Sequence, residues 1–377
     1  FYRELYPMQF EEPLFNIHLN VDYPFNLTGI LYFPKMNKDM QIQKDKIQLY
    51  QNQVFVTDNV EGIVPEFLTM LRGVIDSPDI PLNVSRSYLQ ADGAVKKISS
   101  YITRKVGDKL KSLFNDNREE FNAKWDDIKI VIEYGMLTED KFFDKAQDFM
   151  LYPTVDGNYH TFAELKEKLA AAQTDKDDKL VLLYASNKEE QHSYIAAAKD
   201  KGYEVLLLDS PIISHLIQKM ETSQEKISFA RVDGDHIDNL IKKDEEAISK
   251  LSDQEKETLK TFLTQTIPAE KFSVQLEAMD SKSNPFIITE PEFMRRMKEM
   301  QQNGGGGGMF GMGNMPDMYN LIVNTNHELV TEILNTKTAK KKERLVNQAL
   351  DLAKLSKGLL KGEDMTAFIN RSYEMIK

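Results

Sequence analysis

Residues 54–90 read VFVTDNVEGIVPEFLTMLRGVIDSPDIPLNVSRSYLQ, and this stretch decides the fold of the first part of the chain. Its opening segment, VFVT, belongs to the stretch IQLYQNQVFVT, which predicts a further strand pair or an extension of a strand. Apolar residues then recur at helical spacing, at Ile63, Phe67, Leu71 and Val74, which predicts a helix. A proline-led loop follows. We therefore expect a sheet covered by helices.

The flanking sequence extends this sheet on one side and supplies a long helix on the other. Apolar residues alternate from Phe15 to Val21, and a second apolar run covers 30–33, so two strands joined by a turn are predicted. A stripe at helical spacing predicts a helix through most of 88–114; its members are Ala94, Ile98, Ile102, Val106, Leu110 and Leu113. Residues 1–115 are assigned to one large α/β part.

The next two segments differ in pattern. Residues 116–160 predict a helical connector, with a helix on either side of Gly135. Thr161-Phe-Ala-Glu164 has the spacing of a capping box, so another helix starts there. Strand and helix patterns then alternate up to residue 240, which predicts a small parallel α/β part over 161–240.

Residues 243–377 predict a third, mixed domain. A charged helix, two strands and the helix FMRRMKEMQQ precede the segment NGGGGGMFGMGNMPD, whose five consecutive glycines predict a loop. Two helices separated by Gly362 end the chain. The expected fold class is a multidomain α/β and α+β protein.

Composition excludes several classes of function. The formal net charge of -11 argues against a general nucleic-acid binder, because phosphates require basic surface. The absence of cysteine excludes disulfides and thiolate metal sites. No signal peptide or membrane-spanning apolar run is visible, so a cytoplasmic protein without membrane contact is expected. Because Phe1 already leads into a strand, we expect a fragment of a longer protein.

The sequence lacks the motifs and the residue spacing that are typical of nucleotide-dependent enzymes and of metal sites. The predicted sheet at 180–232 lacks a glycine fingerprint and a phosphate loop, which argues against a small-molecule transferase or hydrolase. The acidic stretch 233–238 lacks the ligand spacing of a calcium loop. The six histidines never form a pair with ligand spacing. No metal site is expected.

Arg86 is the main candidate for a functional residue. It lies between two serines at the predicted start of a helix, where the macrodipole disfavours a cation unless an anion joins it. A surface arginine held by a salt bridge remains an alternative. If the residue binds a phosphate, another domain must present the nucleotide.

Methionines mark a candidate binding surface. They recur at Met294, Met297 and Met300 on one predicted helix, and the enrichment continues at Met309, Phe310 and Met312. Unbranched, polarizable methionine suits a surface that contacts many apolar partners, although such a stripe is also typical of a core.

The two terminal helices carry apolar stripes that must be buried against other apolar surface. The candidates for a dimer interface are Leu345, Ala349, Leu352, Met365, Phe368, Ile369, Tyr373 and Ile376. A symmetric bundle with a second copy would cover them, and so would packing against their own domain.

The stretch 54–90 closely resembles the middle domain of the heat-shock protein 90 chaperone family, in its bacterial form. The opening FYRELYPMQFEEPLFNIHLNVDYPFNLTGILYFP is similar to the family's entry into that domain. FMRRMKEMQ and INRSYEMI resemble pieces of its C-terminal domain. Residues 1–115 and 161–240 would then be the two parts of the middle domain, and 243–377 the domain of client contact and dimerisation.

The resemblance implies a function. Members are ATP-dependent, homodimeric stress-response chaperones that bind non-native proteins, and an N-terminal ATPase domain of the same protein binds ATP and Mg. The family arginine that reaches the terminal phosphate corresponds to Arg86, and its supporting glutamine to Gln90. Alone, this chain is expected neither to bind nor to hydrolyse ATP. The alternative is a passive dimeric scaffold without nucleotide coupling.

Overall fold

The computed structural model describes residues 1–35, 46–80, 93–244, 247–296 and 318–376. The chain divides into two compact units. The first comprises Phe1–Tyr152 and Tyr159–Glu164, and the second comprises Pro153–Asn158 and Leu165–Lys377. The mixed α/β architecture confirms the expected fold class, whereas the finer boundaries at 115, 160 and 240 stay predictions.

The first unit is built on a five-stranded mixed sheet, preceded by a short helix. The elements are α1 (Tyr2–Leu5), β1 (Phe15–Val21), β2 (Leu27–Phe33), β3 (Ile47–Gln51), β4 (Val54–Thr57) and β5 (Arg72–Asp76). The strand order is β1-β2-β5-β3-β4, and only β3 and β5 run parallel among neighbours. The strand pairs expected at 15–33 and 47–57 are confirmed.

The predicted helix over residues 63–74 is wrong. A single 3-10 turn covers Glu66–Leu68, and the chain then enters β5, the central strand of the sheet. Ile63, Phe67 and Leu71 are all buried, so the apolar residues at this spacing mark buried positions in a segment that is not a helix. Pairing of β5 with strands on both sides overrides the local pattern.

The close approach of β5 to β2 requires glycine at residue 73. Its φ is +144°, and an added Cβ would lie 2.1 Å from the backbone oxygen of Ile30 on β2. Its amide donates a hydrogen bond of 2.7 Å to the hydroxyl of Tyr6. A side chain at residue 73 would therefore push β2 away from the centre of the sheet.

Helices complete the first unit. They are α2 (Gly93–Asp116), α3 (Arg118–Ala123), α4 (Trp125–Thr138) and α5 (Asp140–Ala146). The stripe predicted for α2 is confirmed, since Ile98, Ile102 and Val106 are fully buried. Gly135, expected between two helices, lies inside α4, where its missing side chain leaves room for the ring of Phe67.

The small α/β part opens the second unit. After the two-residue strands β6 (Tyr152–Pro153) and β7 (Tyr159–His160), its elements are α6 (Phe162–Gln173), β8 (Leu180–Ala185), α7 (His192–Asp200), β9 (Val205–Leu207), α8 (Ile213–Ser223), β10 (Ile227–Arg231) and α9 (Ile237–Leu240). The order β10-β8-β9 with parallel pairing confirms the predicted parallel sheet. The capping box at Thr161 and Glu164 is also confirmed.

The remaining elements pack around a second sheet. They are α10 (Asp253–Thr266), β11 (Phe272–Glu277), β12 (Phe286–Thr289), β13 (Tyr319–Asn324), α11 (Glu328–Asn335), α12 (Ala339–Ser356) and α13 (Gly362–Ile376). Between β12 and β13, the described residues 292–296 are helical. The three strands run in the order β11-β13-β12. Leu321 and Val323 of β13 lie in the same core as Val346 of α12, so this sheet supports the terminal helices.

Candidate functional site

Arg86 and Gln90 lie in the segment 81–92, outside the described residues. The chain entering this segment is held in place. The Ser77 hydroxyl donates to the Asn26 carbonyl at 2.6 Å, and the Asn26 amide donates to the Asp79 carboxylate at 2.6 Å. These two hydrogen bonds to Asn26, which precedes β2, hold Ser77 and Asp79 in place just before the segment.

The chain leaving the segment enters α2 directly. On this helix the Tyr101 hydroxyl donates to the Asn20 carbonyl at 2.9 Å, which ties α2 to the end of β1. The apolar face of α2 is buried over several turns. The described residues on both sides of this segment thus belong to the first compact unit.

The groove beside the first turns of α2 is basic. Its volume is about 720 Å³, and the exposed side chains of Lys96, Lys97, Arg104 and Lys141 line it. The carboxyl group in the lining belongs to Glu139, whose pKa is raised by burial and by nearby Asp140. Positive potential beside the first turns of α2 favours an approaching anion.

Of the methionine candidates, only Met294 lies among the described residues. Met297, Met300, Met309, Phe310 and Met312 lie outside them. Met294 is half-buried, whereas its neighbour Phe293 is 73% exposed. Sequence reasoning missed Phe293, although a phenylalanine before a methionine stripe was a visible signal.

The turn 292–296 that carries Phe293 is firmly attached to the small α/β part. Arg295 is 3% exposed and donates to the Tyr184 hydroxyl at 2.6 Å. Arg296 donates to Glu221 at 2.8 Å and to the carbonyl of Phe229 at 3.0 Å. Two arginines thus fix the base of this helix while Phe293 points into solvent.

Glu292 completes this group of charges. It accepts hydrogen bonds from Arg295 at 2.5 Å and Arg296 at 2.7 Å. Burial alone would raise the pKa of Glu292, but the two arginines lower it below its ordinary value. The carboxylate therefore stays ionised and holds both guanidinium groups in place.

The predicted dimer candidates on α12 and α13 separate into two sets. Ala349 and Phe368 are buried, and Leu345 packs against the core of its own domain. Met365 is half-buried. An exposed set remains: Leu352, Ile369, Tyr373 and Ile376, joined by Leu355 and Met375, which were not among the predicted candidates.

The two terminal helices are held to each other by polar contacts. Arg371 donates to Gln348 at 2.7 Å and forms an ion pair with Asp351. Gln348 also donates to the Ser372 hydroxyl at 3.1 Å. These contacts fix the two helices against each other, and we call their exposed apolar residues the terminal-helix face (Leu352, Leu355, Ile369, Tyr373, Met375 and Ile376).

Asp233, from the acidic stretch rejected as a calcium loop, lies at the carboxyl end of β10. Arg231 donates to its carboxylate at 2.5 and 3.0 Å, and Gln191 donates at 2.7 Å. Lys357, just after α12, forms an ion pair with the same carboxylate. Arg231 also pairs with Glu290 at 2.8 Å.

This cluster fills the place where parallel α/β sheets hold their ligands, outside the carboxyl ends of neighbouring strands. Burial alone would raise the pKa of Asp233, but Arg231 and Lys357 lower it below its ordinary value. Side chains of the protein itself therefore occupy this crevice.

Among the described residues, no group of three or more His, Asp or Glu side chains is arranged to hold a metal ion. In the same parts of the chain, no helix is long and apolar enough to span a membrane.

Comparison with known proteins identifies the family. The family described as "Hsp90 protein" matches residues 1–377. The chain is 45% identical over 443 residues to "Chaperone protein htpG" of Bacteroides fragilis (strain 638R), covering 100% of this chain and 65% of that protein. It is 52% identical over 338 residues to "Chaperone protein HtpG" of Porphyromonas gingivalis (strain ATCC 33277), covering 89% of this chain and 49% of that protein.

A third relative, "Chaperone protein HtpG" of Bacteroides thetaiotaomicron, is 52% identical over 342 residues, with 90% of this chain and 50% of that protein covered. The chain thus spans about half to two thirds of the length of these curated relatives. The resemblance predicted from the sequence is confirmed, and the chain belongs to the Hsp90 protein family.

Proposed function

We propose that this chain forms the client-holding and dimer-forming part of an ATP-dependent molecular chaperone. The observation that carries the proposal is the family match over all 377 residues, with relatives named chaperones. The chain would bind non-native proteins, pair with a second copy and serve an ATPase domain that lies outside it. A cytoplasmic location is part of the same proposal.

Client contact is assigned to the surface that begins at Phe293 and Met294. An exposed aromatic ring next to a flexible methionine gives apolar area that adapts to different partners. Arg295, which is buried, and Arg296, which is half-buried, resist displacement of this helix when a client binds. Met297, Met300, Met309, Phe310 and Met312 extend this surface in the proposal.

The test of client contact is suppression of aggregation of a thermally unfolding enzyme. We expect Phe293→Ser combined with Met297→Gln and Met300→Gln to lose most of the suppression. Met8→Gln is the matched control, because Met8 is 80% exposed in the first unit. Equal suppression by all variants would favour the alternative of a passive dimeric scaffold.

The proposed role of Arg86 is to contact the terminal phosphate of ATP held with Mg by the preceding domain. A guanidinium at that position stabilises the charge that develops during phosphoryl transfer, and Gln90 would support it. The anchored ends of the segment and the basic groove on α2 suit an approaching anion. Closure of the domains would bring the arginine to the nucleotide.

ATP turnover tests this role in a protein that includes a nucleotide-binding domain of the family before Phe1. We expect Arg86→Ala to lose turnover by about a hundredfold or more while ATP still binds. Ser87→Ala, its neighbour, should retain turnover. Unchanged turnover in Arg86→Ala would make this arginine structural and leave client contact and pairing with a second copy as the proposed functions.

A further inference from the structure

The end of the hairpin formed by β1 and β2 contacts the chain on both sides of the segment 81–92. We call residues 20–26 the hairpin end. Asn20 lies near the end of β1, and Asn26 comes directly before β2. One short piece of the sheet is thus placed to influence both ends of the segment that contains Arg86.

On the side before the segment, Asn26 holds the chain through its backbone. Ser77 is fully buried, and its hydroxyl donates to the Asn26 carbonyl at 2.6 Å. The Asn26 amide donates in turn to the Asp79 carboxylate at 2.6 Å. The Asp79 amide donates to the Ser77 hydroxyl at 3.3 Å. These three hydrogen bonds close a ring that fixes both residues against the hairpin end.

Strand β3 reinforces the same stretch of chain. The side-chain amide of Gln51 donates to the carbonyl of Pro78 at 3.1 Å and to that of Ile80 at 3.4 Å. The Ser77 amide donates to the carbonyl of Tyr50 at 3.1 Å. The last described residues before the segment are therefore held from two sides.

On the side after the segment, the hairpin end contacts α2. The Tyr101 hydroxyl donates to the Asn20 carbonyl at 2.9 Å. The Tyr101 ring meets the Phe25 ring edge-on, with 5.7 Å between the ring centroids, and both residues are buried. Aromatic pairs in this geometry stabilise a contact beyond the burial of their area. Sliding of α2 along the sheet would break the hydrogen bond and separate the rings.

Contacts of this kind matter for a residue that acts on a nucleotide. A side chain that acts in catalysis has to be held within about 0.5 Å of its productive position, and hydrogen bonds from supporting residues provide that precision. Because the hairpin end holds Ser77 on one side and Tyr101 on the other, it controls the separation of the two ends of the segment 81–92.

We propose that the hairpin end, acting through Ser77 and Tyr101, positions Arg86 toward the terminal phosphate of ATP. The assignment rests on the role proposed above for Arg86. Ser77 and Tyr101 are positioning residues, since each acts through the arginine and neither contacts the nucleotide.

The test measures ATP turnover in a protein that includes a nucleotide-binding domain of the family before Phe1. Ser77→Ala and Tyr101→Phe each remove one hydroxyl, and the second change keeps the ring against Phe25. We expect each variant to lower kcat about tenfold and to leave KM for ATP within about twofold, because a displacement of about 1 Å can lower a rate up to a hundredfold without weakening binding.

Two matched variants remove hydroxyls that are bonded elsewhere in the first unit. Ser112→Ala removes a bond of 2.8 Å to Asp116 on α2, and Tyr134→Phe removes a hydroxyl bonded to Glu66. Both should keep the kcat of the unmodified protein. An equal loss of kcat in these controls would overturn the proposal, because it would mean that the loss is not specific to the hairpin end.

A double-mutant cycle separates positioning from a purely structural role. In a protein that already carries Arg86→Ala, Ser77→Ala and Tyr101→Phe should cause no further loss of kcat, because the guanidinium that they position is absent. A loss of the same size with and without Arg86 would show that the hydroxyls act independently of it and would overturn the proposal.

Urea midpoints of all variants identify any loss of the folded state. Tyr101→Phe keeps a buried ring, so it decides the question if Ser77→Ala does not fold. If Arg86→Ala loses turnover while both hydroxyl variants retain it, the positioning role is wrong and the proposed role of Arg86 stands. If Arg86→Ala itself retains turnover, both are wrong.

Discussion

Lys357 and Asp233 form a buried ion pair across 124 positions of sequence. Their side chains are 10% and 3% exposed. Arg231 and Gln191 donate to the same carboxylate, so Asp233 receives hydrogen bonds from three side chains. The pair joins the end of α12 to the carboxyl end of β10 and therefore links the terminal helices to the small α/β part.

Removing the lysine should loosen this link. Lys357→Met keeps the length of the side chain but leaves Asp233 with fewer donors, so we expect a loss of about 1–3 kcal/mol in the free energy of unfolding. Urea denaturation followed by circular dichroism measures it. Lys361→Met, an exposed lysine nearby, should change stability by less than about 0.5 kcal/mol. Equal losses in both variants would contradict a specific role of the pair.

The stabilising effect of Asp233 should depend on pH. Because its folded-state pKa is held below the ordinary 3.8, its ionised form stabilises the fold above about pH 4, and this contribution is lost as pH falls further. We expect Asp233→Asn to be less stable than the unmodified chain near pH 7. The difference should shrink from about pH 4 to pH 2.5. Urea midpoints measured across this range check it, and a constant difference would be contrary to the linkage.

Gly135 should not tolerate a methyl group. Its added Cβ would lie 2.7 Å from two ring carbons of Phe67 and 2.8 Å from a ring carbon of Phe142. We expect Gly135→Ala to cost about 1–3 kcal/mol, even though alanine favours helix over glycine by about 1 kcal/mol. Gly93→Ala is the control, because no described atom lies within 4 Å of its Cβ. Thermal unfolding of both variants should show a lower midpoint only for Gly135→Ala.

Patterns of local origin were predicted correctly from the sequence. Helix α2, the parallel order of β8, β9 and β10, and the capping box at Thr161 each depend on residues within a few turns or on short connections. The helix prediction for residues 63–74 was wrong because the structure of this segment depends on contacts with strands that are distant in sequence. Its apolar spacing matched a helix, but pairing with β2 and β3 made residues 72–76 a central strand.

The charged cluster around Asp233 could not be predicted from the sequence. Its members come from separate segments, and the nearest signal, an acidic stretch, suggested only a metal loop and was rejected. Arg86 and Gln90 were assigned through family resemblance and remain predictions. The methionine period does not predict Phe293, because exposure of this ring depends on how Arg295 and Arg296 orient the helix.

The terminal-helix face should mediate pairing with a second copy. Tyr373 is 65% exposed and Ile369 is 42% exposed, so charges placed there should disrupt an interface without disturbing the fold of the single chain. We expect Ile369→Glu with Tyr373→Glu to give a light-scattering mass of one chain at micromolar concentration, where the unmodified protein gives two. Ile248→Glu is the matched control, since Ile248 is 88% exposed outside these helices. A mass of one chain for the unmodified protein would refute pairing, and a double variant that still pairs would place the interface elsewhere.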